Sequence, residues 1–88
     1  MNTTSLINLT AEETGQTKEQ TEATVKAALN IISGVVASGE AVRLRELGTF
    51  EARWESAPEG SNADTGEKIR VVRFSPAEAF LKKVKDLL

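Results

Sequence analysis

Hydrophobic positions along this 88-residue chain recur first at helical spacing and then at strand spacing. Leu6, Ile7, Thr10, Ala11 and Thr14 lie three or four apart and predict a first helix, capped by Asn2 or Thr3. Gly15, able to take the left-handed conformation without steric cost, ends it. Thr17-Lys18-Glu19-Gln20 is a capping-box pattern: the Thr17 hydroxyl accepts from a free amide while Gln20 reaches back, so a second helix begins there. That helix carries two apolar stripes, with Val25, Ala28, Leu29, Ile32 and Val36 on one side and Thr24, Ala27, Ile31 and Val35 on the adjoining side. One neighbouring helix cannot cover both, and in so short a chain the simplest cover is a second copy. Gly39 closes the helix.

The period then drops to two. Val42 and Leu44 alternate with Arg43 and Arg45 as a half-buried strand, and Glu46-Leu47-Gly48-Thr49 supplies a turn with Gly48 at positive φ. A second strand sets Phe50, Ala52 and Trp54 against Glu51, Arg53 and Glu55. Residues 56–67 hold almost nothing that favours burial and read as an exposed excursion. Alternation resumes from Lys68 to Phe74, where Ile69, Val71 and Arg73 oppose Arg70, Val72 and Phe74. Ser75-Pro76-Ala77-Glu78 predicts a third helix, by a capping box and by proline at the first helical position. Ala77, Phe80, Leu81, Val84 and Leu88 form its inward face, and Lys82, Lys83 and Lys85 point outward. No repeat or linker interrupts the chain. The expectation is one domain over 1–88: a helical base over 1–39, a sheet over 41–74 with an arm at about 53–70, and a C-terminal helix over 75–88.

A composition of 40% hydrophobic and 27% charged residues disfavours disorder, and no window approaches the roughly 20 apolar residues of a membrane span. The start Met1-Asn2-Thr3-Thr4-Ser5 lacks the features of a secretory signal, so an intracellular protein is expected. Without cysteine there is no disulfide, thiolate nucleophile or cysteine zinc site; without histidine the commonest general base and metal ligand are missing. Glu12 and Glu13 diverge as adjacent helix positions, and Ser5, Ser33, Ser38 and Thr10 have no base. A P-loop and a nucleotide fingerprint are absent. No enzyme activity, cofactor, metal, small-molecule substrate or membrane association is expected.

Eleven Lys+Arg against thirteen Asp+Glu give a net charge of -2, which does not advertise a nucleic-acid partner. The layout is uneven: residues 1–40 sum to -3, residues 41–73 balance, and Phe74 to Leu88 sum to +1. Such a layout permits a local basic surface.

Met1-Asn2-x-Thr4-x-Leu6-Ile7, Ala11-Glu12-x-Thr14-Gly15, Gly39-Glu40-Ala41-Val42-x-Leu44, Gly48-Thr49-Phe50 and Asn62-x-x-Thr65-Gly66-Glu67 occur together over almost the whole chain. In joint spacing and element order the chain resembles the HU family of bacterial histone-like proteins and its relative integration host factor. The resemblance implies an α+β fold built as an intertwined dimer, with two N-terminal helices, an antiparallel sheet with protruding β-ribbon arms, and a short C-terminal helix. It further implies architectural, largely sequence-non-specific binding and bending of double-stranded DNA, through minor groove and phosphate backbone, in the cytoplasm on the nucleoid. Ribbons bearing Arg and Lys gather phosphates by counterion release, and an apolar tip residue wedged between base steps kinks the duplex. The DNA-binding residues it implies are Arg53, Asn62, Ala63, Thr65, Gly66, Lys68, Arg70 and Arg73 of the arm, with Lys18, Lys82, Lys83 and Lys85. Dimer interface and core fall to Val25, Leu29, Ile32, Val36, Leu44, Leu47, Phe50, Phe74 and Phe80. The partner chain is an identical copy or a paralogue.

The chain departs from the family pattern where DNA is concerned. The family tip reads Arg-Asn-Pro with proline as the wedge; here Ser61, Asn62 and Ala63 stand there. Glu55, Glu59, Asp64 and Glu67 crowd the excursion, and the stretch between Phe50 and Phe74 is shorter than usual. Two C-terminal lysines of the family are lost, partly replaced by Lys82, Lys83 and Lys85, and Thr3 stands where lysine is common. Arg53, Lys68, Arg70 and Arg73 therefore read either as a phosphate-holding arm or as a solvated face paired with Glu51, Glu55 and Glu67. The C-terminal lysines are explained as well by the helix dipole as by DNA. Trp54 shares the Phe50 face near the arm root; burial is the expectation, with an exposed indole offered to a partner as the alternative. The rival function is a dimeric protein-interaction module, or the acidic partner of a basic paralogue.

Overall fold

A computed structural model describes residues 1–56 and 68–86. In chain order the elements are α1 (Thr3–Thr14), α2 (Lys18–Ala37), β1 (Val42–Leu44), β2 (Gly48–Ser56), β3 (Lys68–Pro76) and α3 (Glu78–Asp86), the α+β composition expected. The chain divides into two compact units, Met1–Ser33 and Gly34–Leu88.

Local chemistry sets the ends of the first two helices. Asn2 caps α1, its Oδ1 accepting from the Ser5 amide at 2.9 Å, and Gly15 at φ 72° ends it by donating to the Ala11 carbonyl at 2.9 Å. Thr17 Oγ1 accepts from the Gln20 amide at 3.2 Å and opens α2. At the other end of α2, Gly39 (φ 100°) donates to the Val36 carbonyl and Glu40 to that of Val35, the pair of bonds of a Schellman motif. In the first unit Ile7 and Ala11, one turn apart on α1, are buried together with Thr21 of α2. Thr21 is 1% exposed, and its hydroxyl donates to the Thr17 carbonyl at 2.8 Å, so a polar side chain is buried with its hydrogen bond made. The apolar stripes read from the sequence begin at Thr24 and Val25 and did not include Thr21, which continues the Val25 side by one turn towards the start of the helix.

In the second unit Val36 is buried, and the sheet runs β1-β2-β3, antiparallel throughout. β1 pairs Val42 with Phe50 and Leu44 with Gly48; β2 and β3 pair from Gly48 with Pro76 to Ser56 with Lys68. Phe50 and Phe74 face each other with ring centroids 4.7 Å apart, and Phe80 of α3 lies 6.1 Å from Phe74. Three boundaries differ from expectation. The turn lies over Leu44 to Leu47, closed by the Leu47 amide on the Leu44 carbonyl at 3.0 Å, and Gly48 is already the first strand residue. Ser56 is still paired and belongs to β2 rather than to the excursion. Ser75 and Pro76 do not open α3 but extend β3, opposite Thr49 and Gly48. Proline costs little at a strand terminus, and the Ala77 amide is held by the Leu47 carbonyl at 2.9 Å. The first helical bond is therefore Leu81 to the Ala77 carbonyl at 3.0 Å.

Gly48 is buried, has φ 153°, and sits between both neighbouring strands. A Cβ there would run into the Ser75 carbonyl and stand 2.8 Å from the Phe74 ring. We expect Gly48→Ala to lower stability by more than about 2 kcal/mol through strain and overpacking. Gly15→Ala, where φ is 72° but nothing lies within 4 Å, should lose less, about 1 kcal/mol. Urea midpoints at fixed protein concentration give the comparison; equal losses would contradict the close packing at Gly48.

Candidate functional site

The paired ends of β2 and β3 form a two-stranded ribbon whose register decides which side chains share a face. Residues directly opposite in an antiparallel pair lie on the same side, and successive residues alternate. One face therefore carries the pairs Phe50/Phe74, Ala52/Val72, Trp54/Arg70 and Ser56/Lys68. The other carries Glu51/Arg73, Arg53/Val71 and Glu55/Ile69.

The two faces differ electrostatically. On the odd-numbered face Arg53 Nε donates to Glu51 Oε1 at 2.7 Å. Arg73 grips Glu55 in bidentate fashion, Nε to Oε1 at 2.8 Å and Nη2 to Oε2 at 2.7 Å. Two guanidiniums and two carboxylates cancel, and each guanidinium already holds a carboxylate through its Nε and Nη2 groups. On the even-numbered face Lys68 and Arg70 are paired with no carboxylate among the described residues. Arg70 instead lies over the indole of Trp54, its Cζ 5.9 Å from the ring centroid.

The four arm cations named from the sequence are thus split two and two, and the ion-paired reading holds for Arg53 and Arg73. The expected burial of Trp54 is not seen: the indole is 65% exposed. It stands opposite Arg70, whose long side chain lies beside it without enclosing it, and no other aromatic ring pairs with it among the described residues. Sequence reasoning left Trp54 out of the candidate site. The available signal was the symmetry of the ribbon, since pairing Phe50 with Phe74 brings position 54 opposite position 70. Asn62, Ala63, Thr65 and Gly66 lie outside the described residues. Lys18 is the first residue of α2 and is exposed; Lys82, Lys83 and Lys85 are exposed on α3, the latter two in its last turn, where the helix dipole favours them.

The residues assigned to interface and core are only partly covered by their own chain. Val36 is buried; Val25, Ile32, Leu44, Phe50 and Phe80 are half-buried; Leu29, Leu47 and Phe74 remain exposed. Leu81 and Val84, read as inward-facing on α3, are exposed too, and Leu88 lies outside the described residues. Ile31, on the second stripe of α2, is 65% exposed.

Comparison with known proteins matches residues 1–85 to the family described as bacterial DNA-binding protein. The DNA-binding protein HU of Nostoc sp. is 40% identical over 96% of this chain and 95% of its own length. HU-alpha of Vibrio cholerae is 37% identical over 100% of this chain and 99% of its own. Among solved structures, an Anabaena HU–DNA cocrystal structure gives a TM-score of 0.81 at 40% identity, covering 96% of this chain and 97% of that one.

The Arg73–Glu55 pair is partly open to solvent on both sides. Glu55→Gln is therefore expected to change folding stability by less than about 1 kcal/mol, and by less still at high salt. Urea titrations at low and high ionic strength measure it; a larger, salt-insensitive loss would mean that the pair helps to hold the sheet.

Proposed function

The chain belongs to the bacterial DNA-binding protein family, the family of HU, and from that membership we propose that it is an architectural DNA-binding protein. It binds double-stranded DNA as a dimer, with little sequence preference, in the cytoplasm on the nucleoid. The observation that carries this reading is full-length likeness, in sequence and in fold, to an HU crystallised with DNA. Family members act as architectural proteins rather than enzymes. The match also favours DNA binding over a protein-interaction module.

The chain's own surface supports the dimer. Ile31, Leu29, Phe74, Leu81 and Val84 are all exposed in a single copy. A domain this small hides too little surface to be more than marginally stable alone, and a second copy that covers these side chains supplies the missing burial. The sum of charges does not prevent DNA binding, because a phosphate responds to the face it meets. With alanine at position 63, where relatives carry proline, the apolar wedge is small and bending is shallower than in those relatives.

Binding to a mixed-sequence duplex should weaken steeply with salt, log K falling by about 0.9 per phosphate neutralised for each unit of log salt. Fluorescence anisotropy of a labelled duplex across a salt series reads the slope, and two unrelated sequences should bind alike. In parallel, the unfolding temperature should rise with protein concentration, as for any chain whose folding is coupled to association. A flat salt response would rule out the DNA reading, and a concentration-independent melting point would rule out the obligate dimer.

A further inference from the structure

We infer that dimers of this chain dock on one another, the outward face of α1 in one dimer seating on the Trp54/Val72 face of the ribbon in the next. This rests on the dimer reading and goes beyond it, because the docking residues lie apart from those assigned to the dimer interface. The receiving surface is the even-numbered face of the ribbon. Its root is occupied: Phe80 of α3 lies beside Phe74, ring centroids 6.1 Å apart. Further out, Val72 is 68% and Trp54 65% exposed, with Arg70 over the indole and Lys68 beyond it. Position 70 lies four residues from position 74, about 13 Å along the strand, and packed helices stand about 8–10 Å apart. A helix from another molecule therefore fits beside α3 on the same face. The face also sets that helix's chemistry. It must bring apolar groups to cover a valine and an indole, and carboxylates to meet a guanidinium and an ammonium, because no carboxylate stands on this face among the described residues. A phosphate backbone would meet the two cations and leave the valine and the indole wet, whereas an acidic amphipathic helix covers all four.

The chain carries such a helix face itself. Ile7 and Ala11 are the buried side of α1. At about 100° per residue, Leu9, two positions from each, points away from both. Leu9 is 50% exposed, and Glu12 and Glu13, three and four positions further on, are exposed beside it. Neither glutamate is in an ion pair among the described residues. On α2 and α3 the carboxylates are interspersed with Lys18, Lys26, Lys82, Lys83 and Lys85, whereas α1 has no lysine or arginine. A leucine flanked by two carboxylates thus matches an indole flanked by two cations, in apolarity and in sign. The giving and receiving surfaces differ, so the contact is heterologous: each dimer offers both, and association continues past the first pair. One helix face on one strand pair is a small interface of the weak class, formed where the chain is concentrated.

The test uses the full chain without DNA. Trp54 is the only tryptophan and the chain has no tyrosine, so intrinsic fluorescence reports the receiving surface alone. At low salt, sedimentation velocity over a concentration series should show species larger than the dimer, and Trp54 emission should shift to the blue with the same midpoint. High salt should reverse both. Trp54→Ser should weaken the association by about tenfold or more. Reversing the charge of either surface alone, by Lys68→Glu with Arg70→Glu or by Glu12→Lys with Glu13→Lys, should abolish it. The chain carrying all four substitutions should regain it, a rescue that a folding defect cannot mimic. Circular dichroism confirms that each variant is folded, and the wild-type series needs no variant at all. No species larger than the dimer at the highest soluble concentration would overturn the inference while leaving the dimer intact. Association with unchanged emission, or undiminished in Trp54→Ser, would place the contact elsewhere and overturn it too. So would a folded four-substitution chain that stays dimeric. Blue-shifted emission from the dilute dimer would overturn it by showing Trp54 already covered within that dimer. An emission change on adding a duplex to the dilute dimer, with no self-association in its absence, would give the face to DNA instead. Sedimentation as a monomer would remove the dimer reading itself, and this inference with it.

Discussion

Pairing of Phe50 with Phe74 across β2 and β3 is the contact on which the character of the ribbon depends. Side chains alternate with a period of two, so a slip of one residue would exchange the partners of every position. Lys68 and Arg70 would then share a face with Glu51, Arg53 and Glu55, and Arg73 alone would stand on the other, so the face with two cations and no carboxylate would be lost. Two features oppose the slip. The phenylalanine rings pack at 4.7 Å with Phe80 beyond them, and Gly48 alone tolerates the approach of Phe74 and Ser75 at the start of β2. Packing at the root therefore sets the electrostatics further out along the ribbon.

Much of this was legible in the residues because it is local. Asn2, Gly15, Thr17 and Gly39 end their helices through bonds to residues at most five away, and such bonds follow from residue type and spacing. The alternation of β2 and β3 was legible for the same reason. Pro76 was misread because its helix-starting preference is local while the competing claim is not: the ladder to Gly48 and the hold of the Leu47 carbonyl on Ala77 come from thirty residues away in sequence or nearly so. Burial of Trp54 was preferred over its exposed alternative because an aromatic residue on an alternating strand usually has something to pack against, and here its cross-strand neighbour is an arginine. The division of the four arm cations was implicit in the alternation, but which of them carboxylates would occupy depended on the cross-strand reach of Arg73 to Glu55, a relation between strands that spacing along one strand does not contain.

A net charge of -2 is a poor guide to such a surface. Among the described residues, Lys26, Arg53 and Arg73 are tied to Glu22, Glu51 and Glu55, and these six charges contribute almost nothing beyond their own contacts. Screening shortens the range of the rest to about 10 Å at 0.1 M salt. A phosphate thus responds to the few groups on the face it approaches. The family's DNA-binding function and this chain's acidic composition are compatible on that ground, although fewer uncommitted cations remain to contribute to affinity.

The ion pairs on the odd-numbered face then acquire a meaning that stability does not give them. Both partners of the Arg73–Glu55 pair are partly exposed, and such pairs stabilise a fold little. Their electrostatic consequence is larger: a carboxylate held against a guanidinium removes one attractive site and places a repulsive charge where a phosphate would sit. Specific orientation can come from discouraging the wrong approach as well as from favouring the right one. In a ribbon with two cations on each face, neutralising one pair leaves uncompensated positive charge on a single side among the described residues, so the acidic residues that reduce the total charge also set where the remaining charge lies.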